Sequence, residues 1–358
     1  MYTSAPTTRR RFLGAVCSIA AASALPARVT EGAPIRIGQL GTKHAHASGK
    51  AATIRKFPEV FDFVGIVEPD PVQRTAVANH AAYRGLNWMT EAELFATPGL
   101  RAVAVETAVA ELVPTALRCL GAGLHVHLDK PAGPSLDPCH ALHRLAEERR
   151  RTVQMGYMFR YNPAFQFAHR IVRDGWLGEI TEISGMMGKF SDDAQRRELA
   201  AFAGGGMFEL ACHLIDQVVY LLGPPHKVTA YTRRNFPGKD NLADNQIAIL
   251  EYPEAIADIR CNHVDPLGDS RRQFSITGTQ GTFEIRPLEP PRGRLGLDRP
   301  RGVYAKGFQD VTFPKPAGRY DEEFLDFARV IRGEKSLAWN AAHDLATQEA
   351  VLRASGML

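Results

Sequence analysis

A chain of 358 residues, 45% hydrophobic and 23% charged, has room for two ordinary domains and too much apolar content to stay disordered. Its formal charge of +4 rests on the first residues, where four arginines (Arg9, Arg10, Arg11, Arg28) and one glutamate (Glu31) precede about Ala33, so the remainder carries +1. A nearly neutral body excludes a function built on nucleic-acid electrostatics.

The N-terminal stretch TTRRRFLGAVCSIAAASALPA places Arg9 and Arg10 before Arg11, Phe12 and Leu13, then an Ala-rich run with small residues near Ala24 and Ala27. This order of basic, apolar and small residues resembles a twin-arginine export signal. It implies the twin-arginine translocation machinery as a partner, a periplasmic or other extracytoplasmic location, and removal of residues 1–33 as signal and linker. The apolar run is too short and Ala-rich for a stable membrane anchor. Past it, Cys119, Cys139, Cys212 and Cys261 form no C-x-x-C pair and are expected to be buried thiols.

From Ile35 onward strands and helices alternate. IRIGQL reads as a strand, ASGKAATIRKF as a helix, and FDFVGIVEPD as a strand ending in an acid. PVQRTAVANHA is a helix opened by proline, AELFATPG a short helix and LRAVAVET a strand. ELVPTALRCLGAG is helical, LHVHLDKPAG extended, DPCHALHRLAEERRR helical and RTVQMGYM extended. Strands separated by helices of this length predict a parallel, doubly wound sheet over residues 34–155.

The texture changes after Gly156. YNPAFQFAHRIVRDG reads as a helix and GEITEISGMMGKF as a strand, and helical spacing of apolar residues runs over 207–222 up to Gly223-Pro224. HKVTAYTRR, NQIAILEY, AIADIRCNH, RQFSITGT and GTFEIRP predict a largely antiparallel sheet. PLEPPRGRLGLDRPRG reads as an exposed loop, and YDEEFLDFARVIRGE and NAAHDLATQEAVLRASG as closing helices. Residues 156–358 are thus expected to form a second, α+β domain.

Three constellations carry chemistry. The first is the loop after the opening strand. Gly38, Gly41, Thr42, Lys43 and His44 lead into a helix N-terminus whose N–H groups suit a dinucleotide pyrophosphate, although Lys43 stands where a middle glycine is usual. Glu68, at the end of the second strand, is placed for a ribose diol and favours NAD over NADP, while Lys43 leaves NADP possible. The second is Asp129-Lys130-Pro131, whose lysine ends a parallel strand and faces the ligand crevice; the proline fixes the local backbone, a cis bond being one way to do so. The third is Glu209 with His213 four residues on and Asp216 beyond, after Gly204-Gly205-Gly206. One helix face would hold the carboxylate against the imidazole as a general base requires. The pairs His44/His46 and His125/His127 share faces, but no third ligand has a sensible spacing, so structural histidines and no metal are expected.

Taken in order, the Rossmann-like start, GLHVHLDKPAG, GYMFRYNPAF, GGG followed by E-x-x-x-H-x-I-D, and GTQGTFEI resemble the glucose–fructose oxidoreductase / inositol dehydrogenase / MocA (Gfo/Idh/MocA) family over nearly the whole chain past the signal. The resemblance implies an NAD(P)-dependent oxidoreductase that moves hydride from a secondary alcohol of a sugar, polyol or derivative. Lys130 matches the lysine between nicotinamide and substrate, His213 the acid/base histidine, and Glu209 a position usually aspartate. Asp129 and Lys130 would border the cofactor, and Tyr157, Arg160, Asn162 and Asp216 the substrate. Lys43, Asp129 in place of glutamate, and Glu106-Thr107-Ala108-Val109 in place of T-P-N depart from the family pattern. Export implies a tightly bound cofactor, and the family implies a homo-oligomer. Two alternatives stand beside the dehydrogenase: a redox-neutral carbohydrate enzyme, glycosidase or epimerase, working by transient oxidation, and a non-catalytic sugar-binding relative.

Overall fold

The computed structural model describes residues 32–358; the export-signal expectation lies outside the described residues. The first sheet contains β1 (Ile35–Leu40), β2 (Phe61–Val67), β3 (Trp88–Met89), β4 (Ala102–Val105), β5 (His125–Leu128) and β6 (Val153–Met155) in the order β3-β2-β1-β4-β5-β6, all parallel. The central strands read as near-continuous apolar runs because helices cover both faces, and every residue of β4 is buried. The crossovers are α1 (Ala47–Lys56), α2 (Pro71–Val77), α3 (Glu91–Phe95), α4 (Val109–Gly121) and α5 (Asp137–Arg149). The strand order reverses between β1 and β4, so their C-terminal ends open the crevice where doubly wound sheets take ligands.

The second sheet contains β7 (Ile180–Gly188), β8 (Lys227–Arg233), β9 (Asn245–Glu251), β10 (Ile256–Asn262), β11 (Gln273–Gly278), β12 (Gly281–Ile285), β13 (Arg292–Leu297) and β14 (Gly307–Thr312). Its order is β14-β13-β12-β11-β7-β10-β9-β8, antiparallel except for the parallel pair β7–β10. Alternate residues of β9 and β10 are buried, Ala248 and Leu250 with Ala257, Ile259 and Cys261, as one covered face requires. The covering layer is α6 (Pro163–Arg173), α8 (Gly205–Glu209) and α9 (Cys212–Leu222), with α7 (Asp193–Ala200) beside α8. Gly185 of β7 admits Leu214 of α9, since a Cβ there would stand 2.9 Å from the leucine Cδ1.

The last helices return to both sheets. Phe324 of α10 (Asp321–Ile331) stacks on His127 of β5 with ring centroids 4.6 Å apart, and α11 (Ala341–Ala354) packs against α9. Between the sheets, the short helical turn Met158–Tyr161 holds Arg160, whose guanidinium bonds Asp216 of α9 and Asp344 of α11, each as near as 2.6 Å.

Three local expectations change. The stretch that reads as one helix over 207–222 is two, broken at Leu210 and Ala211. The Pro-, Gly- and Arg-rich loop contains β13, where exposed Arg292 and Arg294 alternate with buried Leu295 and Leu297 around glycines. A Cβ on Gly293 would stand 2.8 Å from Phe283, so glycine there makes room for an aromatic ring rather than marking a turn. The edge strand β3, α7 and β14 carry no clear periodic signal. Among the described residues no helix is long and apolar enough to cross a membrane, and the four cysteines are buried and free.

Candidate active site

The nucleotide loop starts at Gly41. Its φ is +87°, and a Cβ there would stand 2.6 Å from the Thr107 Cα, so only glycine fits. Gly38 lies inside β1 and faces Leu94 of α3 instead of the crevice. Thr42 donates from its N–H (2.9 Å) and hydroxyl (2.7 Å) to one oxygen of Glu68, and the Asp70 N–H meets the other at 3.1 Å. Glu68 therefore braces the loop and also lines the cleft beside it. Lys43 pairs with Asp70 at 2.7 Å and stands in the wall of the cleft, so the residue in the glycine position borders the cleft without filling it. That cleft, about 520 Å³, is lined among others by Leu40, Gly41, Glu68, Arg74, Thr107 and Arg118. A glycine turn, an acid at the end of β2 and an open crevice at the strand reversal fit a dinucleotide.

Lys130 follows β5 and is joined to Pro131 by a cis peptide bond. Its side chain is fully buried, and its ammonium donates to the Glu209 carboxylate at 3.0 Å and to the Glu209 carbonyl. Burial opposes charge on both groups, yet each holds the other ionised: Lys130 is raised above the ordinary lysine range and Glu209 is lowered to about 2. The break between α8 and α9 matters here. It turns Glu209 toward Lys130, so the expected Glu209–His213 pair does not form; the partner of the carboxylate is the lysine.

His213 is buried among Phe159 (ring centroids 5.3 Å apart), Tyr157 (5.9 Å) and His46 (6.4 Å). Among the described residues its Nδ1 has no hydrogen-bond partner. Burial, then the charge of Lys130, pushes its proton affinity well below that of an ordinary histidine, so it is neutral at neutral pH.

Behind Lys130 lies a buried charge cluster. Asp129, fully buried, accepts from the Lys130 N–H at 2.7 Å and faces His44 Nδ1 at 3.0 Å, His46 Nδ1 at 3.1 Å and Lys50 Nζ at 3.1 Å. The remaining nitrogen of His44, Nε2, lies 3.0 Å from the Lys130 carbonyl. Burial would raise Asp129, but His44, Lys50 and His46 hold its carboxyl well below the usual range. Glu106 and Glu323 complete the cluster at 3.7 and 3.9 Å from Lys50 Nζ, and burial followed by the nearby Asp129 pushes Glu106 well above the ordinary glutamate. Asp129 and His44, expected as cofactor contacts, both bond the Lys130 backbone. Spacing along the chain offers no third partner for His44/His46; the fold supplies Asp129.

The other expected substrate contacts have partners within the protein. Arg160 and Asp216 are fully buried against each other, and His343 Nε2 adds a contact to Asp216 at 2.9 Å. Asn162 caps α6 through the Ala164 N–H (2.9 Å) and donates to the Leu288 carbonyl. Tyr157 alone of the four lies against His213. His127 meets Glu323 at 2.9 Å and His125 accepts from the Thr152 N–H.

Lys50 is a member of the site that the sequence does not single out. Its one signal is position: with Ala47, Ala51 and Ile54 it lies on the buried stripe of α1, where a lysine needs buried acids. Those acids come from β4, β5 and α10, and no local pattern reveals that.

A Rossmann crevice at the strand reversal, with a buried lysine–carboxylate pair at the end of β5 and a neutral histidine near that lysine, fits an oxidoreductase of the dehydrogenase class acting on CH–OH groups. Residues 35–157 match the oxidoreductase family with NAD-binding Rossmann fold, and residues 165–284 match the Gfo/Idh/MocA C-terminal domain. The chain belongs to the Gfo/Idh/MocA family. It is 26% identical to the uncharacterized oxidoreductase YdgJ of Escherichia coli over 238 residues, 65% of this chain and 68% of YdgJ. It is 26% identical to the scyllo-inositol 2-dehydrogenase (NADP(+)) IolW of Bacillus subtilis over 140 residues, 38% of this chain and 39% of that protein. The fold also matches levoglucosan dehydrogenase, solved with NADH and levoglucosan, with a TM-score of 0.75 at 17% identity, covering 90% of this chain and 97% of that one.

Proposed function

We propose that the protein is an NAD-dependent dehydrogenase that oxidises a secondary alcohol of a sugar, polyol or related compound. The observation that carries this reading is the buried Lys130–Glu209 pair beside neutral His213, at the C-terminal end of β5. Gly41, Thr42 and Glu68 would hold the nucleotide, with Glu68 favouring an unphosphorylated ribose. A nicotinamide nucleotide held there would supply the acceptor for the hydride of the carbinol carbon. Lys130 holds the substrate hydroxyl and stabilises charge as it develops on that oxygen, and Glu209 keeps the ammonium charged and aimed. His213, already unprotonated, accepts the hydroxyl proton. Tyr157 and Phe159 fix the ring of His213 by packing. The named activities of relatives on scyllo-inositol and levoglucosan support the carbohydrate class.

The same reading includes two parts supported by sequence: export by the twin-arginine route, and a nucleotide domain over residues 34–155 with a substrate domain over 156–358. The test is to denature the purified protein, identify any released NAD(H) or NADP(H) by mass spectrometry, and follow reduction of added nucleotide with a panel of sugars and polyols. Bound or rebinding NAD, with turnover on at least one polyol, is expected. No nucleotide bound or rebound would overturn the assignment, and release of an aglycone without net reduction would move it to redox-neutral chemistry.

A further inference from the structure

We propose that His44, His46 and Asp129 form a binding site for a divalent transition-metal ion, with Zn2+ the best-suited class. The ligand atoms of the three residues lie within 4.8 Å of one another, and the carboxylate stands 3.0 Å from one imidazole nitrogen and 3.1 Å from the other. Donors around a tetrahedral zinc, bound at about 2.0–2.1 Å, are spaced only slightly farther apart than this. Small side-chain shifts therefore open the site without moving the backbone.

Two further features favour an ion. His44 turns Nε2 to the Lys130 carbonyl at 3.0 Å, which is the outer bond that fixes a ligating histidine; its Nδ1, which accepts from the His46 N–H at 3.2 Å, is the atom that faces Asp129 and would have to exchange that weak bond for a metal. The interior around the site is also short of positive charge. Three fully buried carboxyl groups, Asp129, Glu106 and Glu323, face the single ammonium of Lys50, and with Glu106 pushed toward its neutral form two negative charges still face one positive. Glu106 borders the site, sharing a side-chain hydrogen bond with Asp129 and placing one oxygen 3.8 Å from His44 Nδ1. A dication answers that deficit, and Glu106 is placed to join it directly or through a water. Two imidazoles with a carboxylate suit zinc and its neighbours in the first transition row and exclude calcium and magnesium. Lys50 shares Asp129 and moderates the affinity. His44 and His46 lie at the end of the loop that begins at Gly41, His46 as the N-cap of α1, and the His46 ring lies 6.4 Å from that of His213 and so borders the proposed catalytic pocket.

The experiment uses untagged protein stripped with chelator and titrated with Zn2+ alone by calorimetry, then with Co2+ by visible absorbance. One ion per chain is expected, with Co2+ giving the intense bands of a four-coordinate N/O site. His46→Ala removes a partly exposed ligand and should lower Zn2+ affinity by roughly 100-fold or more, beyond what loss of an outer partner produces. Asp129→Asn should do the same, and circular dichroism melts confirm that the variants fold. NADH binding, followed by fluorescence in the same samples, should survive in His46→Ala, which separates this site from the nucleotide site. Absence of a Zn2+ or Co2+ complex in the wild-type protein would overturn the proposal, as would equal Zn2+ affinity in folded His46→Ala. Should both variants fail to fold, the wild-type Co2+ spectrum decides: octahedral-type weak bands or none would overturn it.

Discussion

Lys130 and His213 divide the chemistry at the scale of single residues. Lys130 is kept charged by Glu209 at 3.0 Å, so replacing it with methionine removes the cation without much change in volume. Lys130→Met should lower kcat by roughly 10²–10³-fold, the cost of losing one preorganised donor at a developing oxyanion. Nucleotide affinity should change little, because Gly41, Thr42 and Glu68 lie on the other strand ends. Steady-state kinetics with a fluorescence titration of NADH separates the two quantities. His213 makes a separate prediction in pH. Burial first, and Lys130 second, lower its proton affinity well below the ordinary value of 6.5. The unprotonated base therefore persists as pH falls through 6.5, and the acid limb of kcat/KM should begin well below that pH. A limb centred at 6.5 or above would show that the acid/base group is another residue.

Local propensity and tertiary packing compete at the scale of elements. The parallel strands were legible because both faces are covered, so β1, β2 and β4 are apolar runs that no other arrangement buries as well. Lys130 and the loop at Gly41 were legible for a related reason: each follows such a strand. The Glu209–His213 geometry was not, because the helix break at Leu210 and Ala211 leaves the apolar periodicity intact while redirecting one side chain. Nor was β13, where glycines that look like turn signals give space to aromatic rings from neighbouring strands. Arg160 and Asp216 share the charge types of a substrate site, and no local pattern shows that they are buried against each other, Asp344 and His343. The β13 case can be tested. Phe283 is fully buried and cannot swing away from a new Cβ at 2.8 Å, so Gly293→Ala should cost about 1–3 kcal/mol, the usual penalty for overpacking. Urea unfolding measures it as a lower midpoint at unchanged slope.

Across the whole molecule, buried ionisable groups tie the two sheets together and set how stability responds to acid. Arg160 joins the turn after β6 to α9 and α11, and Arg160→Met leaves the Asp216 and Asp344 carboxylates buried without their cation. About 3–5 kcal/mol of destabilisation is expected in the same urea experiment. The acid response follows from the histidines. Burial lowers His125, His169 and His263 to about 4, and lowers His127 and His213 in the same direction. Between pH 6.5 and about 4 the unfolded chain binds protons at these sites that the native chain refuses, so their contribution is full above 6.5 and is lost as pH falls. Glu106 and Asp344 act in the opposite sense, since burial raises both and the native state then binds protons more readily than the unfolded chain. Burial lowers His46 and His143 as well, so two carboxyls stand against seven histidines and the histidines dominate. Below pH 4, Glu209 and Asp216, each held at about 2 despite burial by Lys130 and Arg160 respectively, withdraw their share as well. The thermal midpoint should therefore be level above pH 7 and decline steadily from 6.5 downward when followed by circular dichroism from pH 8 to 4. A midpoint that rises on going from pH 7 to 5 would mean that the protonated carboxyls, and not the neutral histidines, govern the fold.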